Sequence, residues 1–180
     1  MMKEFEKYAG FKVLNFFLLN PKTKIHIKAL AKRLKVSPST AKFYCDLFLR
    51  EELFNVEKKG NLKIFSLNNN SVYTRELKKV LALIRFKECG MDRIIKSGTL
   101  AVYGSYASGE FDERSDVDIL VIGKKSDLEE ESFLRFRKKL KKDIQITIIP
   151  YYRWERMKKR KDPFVMEVLE NHILIKGEKL

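Results

Sequence analysis

The chain has 180 residues, 44% hydrophobic and 34% charged, which excludes a collagen-like repeat and an intrinsically disordered tail and leaves room for one domain or two small ones. Its 38 Lys and Arg against 24 Asp and Glu give a net charge of +14, a surface that attracts polyanions, although a Lys- and Glu-rich surface of the thermostable kind carries the same signature. No apolar run approaches the roughly 18 to 20 residues that span a bilayer, and Met1-Met2-Lys3-Glu4-Phe5-Glu6 lacks a signal peptide's apolar centre, so a cytoplasmic protein without a membrane partner is expected.

Helical periodicity runs from near Lys3 to Asn20-Pro21, with Phe5, Tyr8, Phe11, Val13, Leu14, Phe17 and Leu18 on a broad apolar face; one long helix is predicted. Ile25-His26-Ile27 alternates like a short strand, His26 having no ligand-spaced partner. A second helix follows over Lys28 to Leu34. Ser37 serves as N-cap and Pro38 as first helical residue of a third helix reaching about Glu52. Leu53 to Glu57 and Leu62 to Leu67 flank Lys58-Lys59-Gly60-Asn61, a β-hairpin with a basic tip. Cys45 and Cys89 sit singly in helix-like stretches and read as small core residues, with neither metal spacing nor a disulfide.

Helix, short strand, helix, turn, helix and hairpin, with Ala29-Leu30-Ala31-Lys32-Arg33-Leu34-Lys35-Val36-Ser37-Pro38-Ser39-Thr40-Ala41 at the turn, resembles a winged helix-turn-helix domain. That resemblance implies that Ser39, Lys42 and Phe43 face the bases of duplex DNA and that Lys58, Lys59 and Lys63 meet phosphates. Glu52 stands where a glycine often ends the recognition helix, and Glu51-Glu52 bring negative charge near the wing. The alternative is a module for protein contacts or for a homodimer. Residues 1–70 carry 14 basic and 6 acidic side chains (+8) and residues 71–180 carry 24 and 18 (+6), so both parts are basic.

Asn68 to Ser71 is turn-like, and Val72 to Lys87 resumes helical spacing as a bridge between two domains. Beyond it, a strand enters Gly104-Ser105, a helical turn follows, and a second strand carries Asp116 and Asp118 ahead of Ile119-Leu120-Val121-Ile122. Two carboxylates two apart on a strand share a face and repel unless a cation lies between them. Mg²⁺, which is held by one or two carboxylates together with substrate phosphates, meets that need. The Gly104-Ser105 backbone and the Ser105 hydroxyl suit phosphate, Gly104 allowing close approach.

The run from Gly104 to Asp118 matches Gly-Ser-x-Ala-Arg-Gly-x5-Ser-Asp-x-Asp at Gly104, Ser105, Ala107, Gly109, Ser115, Asp116 and Asp118, with Ser108 in place of Arg. It resembles the signature of the minimal nucleotidyltransferases of the DNA polymerase β superfamily. The resemblance implies nucleotide contacts at Gly104, Ser105, Ser108, Gly109 and Ser115 and a metal site at Asp116 and Asp118, completed by a third carboxylate on a later strand that also accepts the proton of the attacking hydroxyl. Asp143 is the candidate for that metal-binding and catalytic acid. Lys142 to Ile149 alternates polar and apolar residues, so Asp143, Gln145 and Thr147 share a face; a register setting Gln145 against the two acids would remove the third one.

Between these strands a helix is expected with Leu128, Phe133, Leu134, Phe136 and Leu140 on its apolar side. Two helices divided at Asp162-Pro163 and a strand at Ile173-Leu174-Ile175 end the chain, with six basic residues within 153–161 on a solvated helix side and His172 before the last strand without visible partners. The expected architecture is α+β: a winged helix-turn-helix over 1–70, a connecting helix over 71–89, and a polymerase-β-like domain with a mixed sheet over 90–180. The resemblance implies Mg²⁺-dependent transfer of a nucleoside monophosphate from ATP or another nucleoside triphosphate to a hydroxyl. A HEPN-type toxin is one implied partner, since relatives act as antitoxins. The alternative is a DNA-binding regulator or antitoxin-like protein whose nucleotidyltransferase fold senses a nucleotide or partner without turnover.

Overall fold

In a computed structural model, residues 2–5 and 7–180 are described, the side chains of Met2 and Lys3 excepted. The chain forms two units, Met1–Leu81 and Ala82–Leu180. The long first helix expected from periodicity is two helices, α1 (Met2–Phe5) and α2 (Ala9–Leu19). Tyr8 stands extended between them, its N–H donating to the Phe5 carbonyl at 3.0 Å. Gly10, in the first turn of α2, faces the Tyr44 ring so closely that a Cβ would lie 2.6 Å from a ring carbon. The apolar period runs on through Tyr8, whereas the backbone there is extended, and Gly10, a weak helix former, is already inside α2.

Strand β1 (Ile25–His26) leads into α3 (Ile27–Leu34), whose first turn is capped by His26 Nδ1 accepting from the Ala29 N–H at 3.3 Å. Lys35 ends α3 in the left-handed region. Helix α4 (Pro38–Arg50) starts as its sequence dictates, with Ser37 Oγ accepting from the Thr40 N–H at 3.0 Å and Pro38 at the first position. Its end falls two residues short of Glu52, which takes φ +57°, the conformation a terminating glycine usually supplies. Strands β2 (Phe54–Lys59) and β3 (Leu62–Leu67) form the hairpin, and the sheet order is β1-β3-β2. Phe17 packs on Phe54 at 4.4 Å between ring centres, and Phe48 on the same ring at 5.2 Å. The buried Leu30, Ala41, Cys45 and Phe65 complete this core.

The division between the units falls within α5 (Val72–Cys89). The second unit then runs β4 (Thr99–Tyr103), α6 (Gly104–Ser108), β5 (Val117–Ile122), α7 (Glu130–Leu140), β6 (Ile144–Ile149), α8 (Tyr151–Lys159), α9 (Pro163–Glu170) and β7 (His172–Lys176). The sheet order is β6-β5-β4-β7, β5 and β6 being parallel and the other pairs antiparallel. It is an α+β chain with a mixed sheet. Alternation along β5 sends Val117, Ile119 and Val121 to one face, where Phe86, Met91, Ile94, Phe136 and Leu140 cover them. Leu120 and Ile122 go to the other, under Trp154, Val165 and Val168. Each such fully buried side chain contributes about 1.5–3 kcal/mol. Leu134, expected on the apolar side of α7, is instead 62% exposed, because Phe136 and Leu140 define the buried stripe. Among the described residues no helix is long and apolar enough to cross a membrane.

Candidate nucleotide site

At the end of β4, Gly104 turns the chain into α6 with φ +65°, and a Cβ there would lie 2.6 Å from Asp118 Oδ2. A side chain there would displace that carboxylate, and the left-handed backbone itself favours glycine. The turn is held from below. The Ser105 carbonyl accepts from the N–H groups of Glu110 (3.0 Å) and Phe111 (3.2 Å), and Tyr106 stacks on Phe111 at 4.1 Å with the rings 6° from parallel. Burial pushes the Tyr106 phenol up to about 12, so it stays neutral. Ser108 Oγ donates to the Ser105 carbonyl at 3.2 Å, and Gly109 closes α6 at φ +78°. Ser115 Oγ accepts from the Asp112 N–H at 2.9 Å, and Lys142 Nζ reaches the Glu113 and Asp112 carbonyls at 2.5 and 3.4 Å. Burial, then the nearby Arg85 charge, lowers the Lys142 pKa. Ser108, Ser115 and Lys142 thus shape the loop that delivers the acids.

Asp116 immediately precedes β5, and Asp118 lies within it, paired with Tyr103 on one side and Gln145 on the other. Partial burial first, then the charges of Asp116 and Glu167, raise the Asp118 pKa. The register decides what faces Asp118 from β6: it is Gln145, whose Nε2 donates to Asp116 Oδ2 at 2.9 Å. Asp143 lies one residue before β6. Its carbonyl accepts from the Val117 N–H at 2.9 Å, and it lines a hollow of about 560 Å³ together with Asp116. Among the described residues no three His, Cys, Asp or Glu side chains gather as a metal-holding group. Two carboxylates are therefore the anionic donors beside the Gly104 turn. Their mutual repulsion, and the clearance left by the missing Cβ, suit a divalent cation.

The row across the sheet continues from Tyr103 to His172. His172, expected ahead of the last strand without partners, is the first residue of β7, and its Nδ1 lies 2.9 Å from the Val168 carbonyl. A carbonyl only accepts, so Nδ1 carries the proton and Nε2 is left as an acceptor in the neutral ring. Tyr103 Oη lies 3.2 Å from Thr147 Oγ1. Sequence reasoning passed over Tyr103 and left His172 without a partner: alternation gives each its face, but nothing local pairs β4 with β7.

In the first unit, Ser39, Lys42 and Lys63 line one hollow of about 340 Å³ together with His26. Ser39 Oγ is 2.8 Å from Ser37 Oγ, and Lys42 pairs with Asp46 at 2.8 Å. Phe43, 60% exposed, lies edge-on to Tyr44. Lys58 faces Lys63 directly across the hairpin, and Lys59 faces Leu62; Phe43, Lys58 and Lys59 lie outside that hollow.

Residues 86–175 match the family described as Nucleotidyltransferase domain. Solved structures similar to the chain include reduced HlyU from Vibrio cholerae, at 18% identity over 41% of this chain and 75% of that one. A possible transcriptional regulator from Methanosarcina mazei is 19% identical over 51% and 81%. Both have a TM-score of 0.35, at which the likeness decides nothing about arrangement or activity. No curated protein matches the chain significantly.

Proposed function

Because this chain belongs to the nucleotidyltransferase domain family, we propose that it moves a nucleoside monophosphate from a nucleoside triphosphate, ATP first among them, to a hydroxyl acceptor in a Mg²⁺-dependent reaction. The observation that carries this reading is the approach of Asp118 to Gly104, with Asp116 beside it. Mg²⁺ held by Asp116 and Asp118 supplies charge neutralisation on the triphosphate when bound. The Gly104 and Ser105 backbone and the Ser105 hydroxyl receive phosphate oxygens, while Ser108, Gly109 and Ser115 keep the turn and loop in shape. The acceptor oxygen bonds to the α-phosphorus, the bond to pyrophosphate breaks, and its electron pair leaves with pyrophosphate. Gln145 has no basic site for the acceptor's proton; Asp143, exposed on the wall of the hollow shared with Asp116, takes it. In this reading Asp143 is a base and not a metal ligand.

The first unit is read as a winged helix-turn-helix that grips duplex DNA, with Ser39, Lys42 and Phe43 toward bases and Lys58, Lys59 and Lys63 toward phosphates. Gln145 opposite Asp118 favours a second reading: a DNA-binding regulator, antitoxin-like in kind and with a toxin or a second copy as partner, that binds the nucleotide without turnover. Incubating the full chain with α-labelled ATP and Mg²⁺ tests both. Transfer of label to an added acceptor supports the enzyme, and tight binding without transfer supports the sensor. Asp116→Asn with Asp118→Asn is expected to abolish Mg²⁺-dependent nucleotide binding, and unchanged binding would sink the site. Asp143→Asn is expected to lower turnover about a hundredfold, within the range for a lost general base, with affinity for ATP little changed.

A further inference from the structure

Asp118, Gln145 and His172 lie at or near the starts of β5, β6 and β7. Thr99, Ile122, Pro150 and Gly177 gather at the far end of the same sheet, about 13 Å along β5 from Asp118 at roughly 3.3 Å per residue. There they border a hollow of about 890 Å³. The first turn of α8 opens onto it, and no N-cap side chain accepts from that turn's N–H groups. Tyr151 and Tyr152, in this turn, are 64% and 72% exposed, so the core does not use their rings. Trp154 is 1% exposed and forms part of the wall. Its indole N–H is buried and has no acceptor among the described residues. Buried indole N–H groups ordinarily find a partner, and one left unpaired carries its full desolvation cost. The side chains clustered with Trp154, among them Leu120, Ile122, Val165 and Val168, are apolar, so an acceptor has to come from the hollow.

Charge narrows what can fill it. Lys124, Lys158 and Lys179 line the hollow together with Asp127, Glu155 and Glu178. Two of these acids are engaged: Asp127 accepts from Ser97 Oγ at 2.7 Å and from the Lys124 N–H at 2.6 Å, and Glu155 pairs with Lys158 at 2.8 Å. Lys124 and Lys179 then stand against Glu178, and the amino end of α8 adds the positive end of its dipole. The balance favours an anion. We propose that the hollow is a second ligand site, for a small planar aromatic molecule that carries a carboxylate or a phosphate. The anionic group lies at the first turn of α8 with Lys124 and Lys179 beside it. The ring lies against Tyr151 and Tyr152, and a ligand oxygen or ring nitrogen accepts from the Trp154 indole N–H. The hollow is in the size range of sites that bury a small ligand. An aromatic acid and a nucleoside monophosphate share this chemistry, and separate titrations distinguish them. The site stands apart from the transfer reading, at the other end of the sheet from Asp118.

Trp154 is the single tryptophan of the chain, so its indole N–H gives one resonance that reads the site directly. The full chain, isotope-labelled at nitrogen, is titrated without Mg²⁺ with phenylacetate and, separately, with AMP. A saturable downfield shift of the indole proton, with slower exchange of that proton with solvent, is expected from at least one of the two, and the tighter binder tells carboxylate from phosphate. Acetate and inorganic phosphate, which carry the charge without the ring, are expected to bind at least about tenfold more weakly. Lys124→Ala with Lys179→Ala is expected to weaken the response about tenfold, and so is Tyr152→Ala; these side chains are exposed, so the fold does not depend on them. An indole resonance unmoved by both aromatic probes overturns the proposal. So does equal affinity for the anions without a ring, or a response that neither set of substitutions alters, which would put the ligand elsewhere. An AMP response that disappears in Asp116→Asn with Asp118→Asn, with none from phenylacetate, would place AMP in the nucleotide site and overturns it as well.

Discussion

Asp118 keeps its proton more tightly than an ordinary carboxyl because it is partly buried beside Asp116. The folded chain then binds more protons at this position than the unfolded one from the ordinary carboxylate value of about 4 up to the raised value. Stability falls as pH rises through that window, and the loss persists above it. Asp118→Asn is expected to remove this fall, and Mg²⁺ to offset it above the window in the unaltered chain. Urea midpoints of both proteins across the acid-to-neutral range, with and without Mg²⁺, check the sign. Gly104→Ala is expected to cost about 1–2 kcal/mol through its left-handed backbone alone, and to displace the Asp118 carboxylate that a Cβ would strike. Urea denaturation reads the first effect and a Mg²⁺-ATP titration the second, as a loss of about tenfold, or 1.4 kcal/mol. Gly104, Asp116 and Asp118 were legible in the sequence because alternation and turn chemistry within one short segment fix their relation. The neighbour from β6 was not: Asp143 and Gln145 share a face, so alternation cannot choose between them, and the parallel register chooses Gln145.

Among the elements, the hairpin of β2 and β3 sets Lys58 directly opposite Lys63, an unfavourable cross-strand pair that a bound phosphate would relieve. Replacing Lys58, Lys59 and Lys63 by Ala is expected to flatten log affinity for duplex DNA against log salt by roughly 2.7 units, at about 0.9 per contact. A salt series on the full chain with a fixed duplex measures it, and an unchanged slope would remove the hairpin from the interface. Ser39→Ala or Lys42→Ala is expected to change which sequence is preferred rather than the slope, as competition among duplexes would show. The start of α4 was readable because Ser37-Pro38 is a local signal. The break between α1 and α2 was not, since the apolar period passes straight through Tyr8, where the backbone is extended.

Across the whole molecule, the two units differ in how their strands find one another. In the first, β2 and β3 meet through a two-residue tip. In the second, β7 returns to pair with β4, bringing His172 beside Tyr103 from about 70 residues along the chain. Closing so long a loop carries an entropic cost that must be met before the pairing offers any return, and such contacts slow folding. Pulsed hydrogen exchange during refolding is expected to find amides of β2 and β3 protected first and those of β7 last; simultaneous protection would refute this order. The pairing of His172 with Tyr103, in the cross-sheet row that includes Asp118, is then the last part of that row to form. A chain caught before that pairing would already hold Asp118 on β5 with Asp116 just ahead of it, and recovery of nucleotide binding would trail recovery of helical signal.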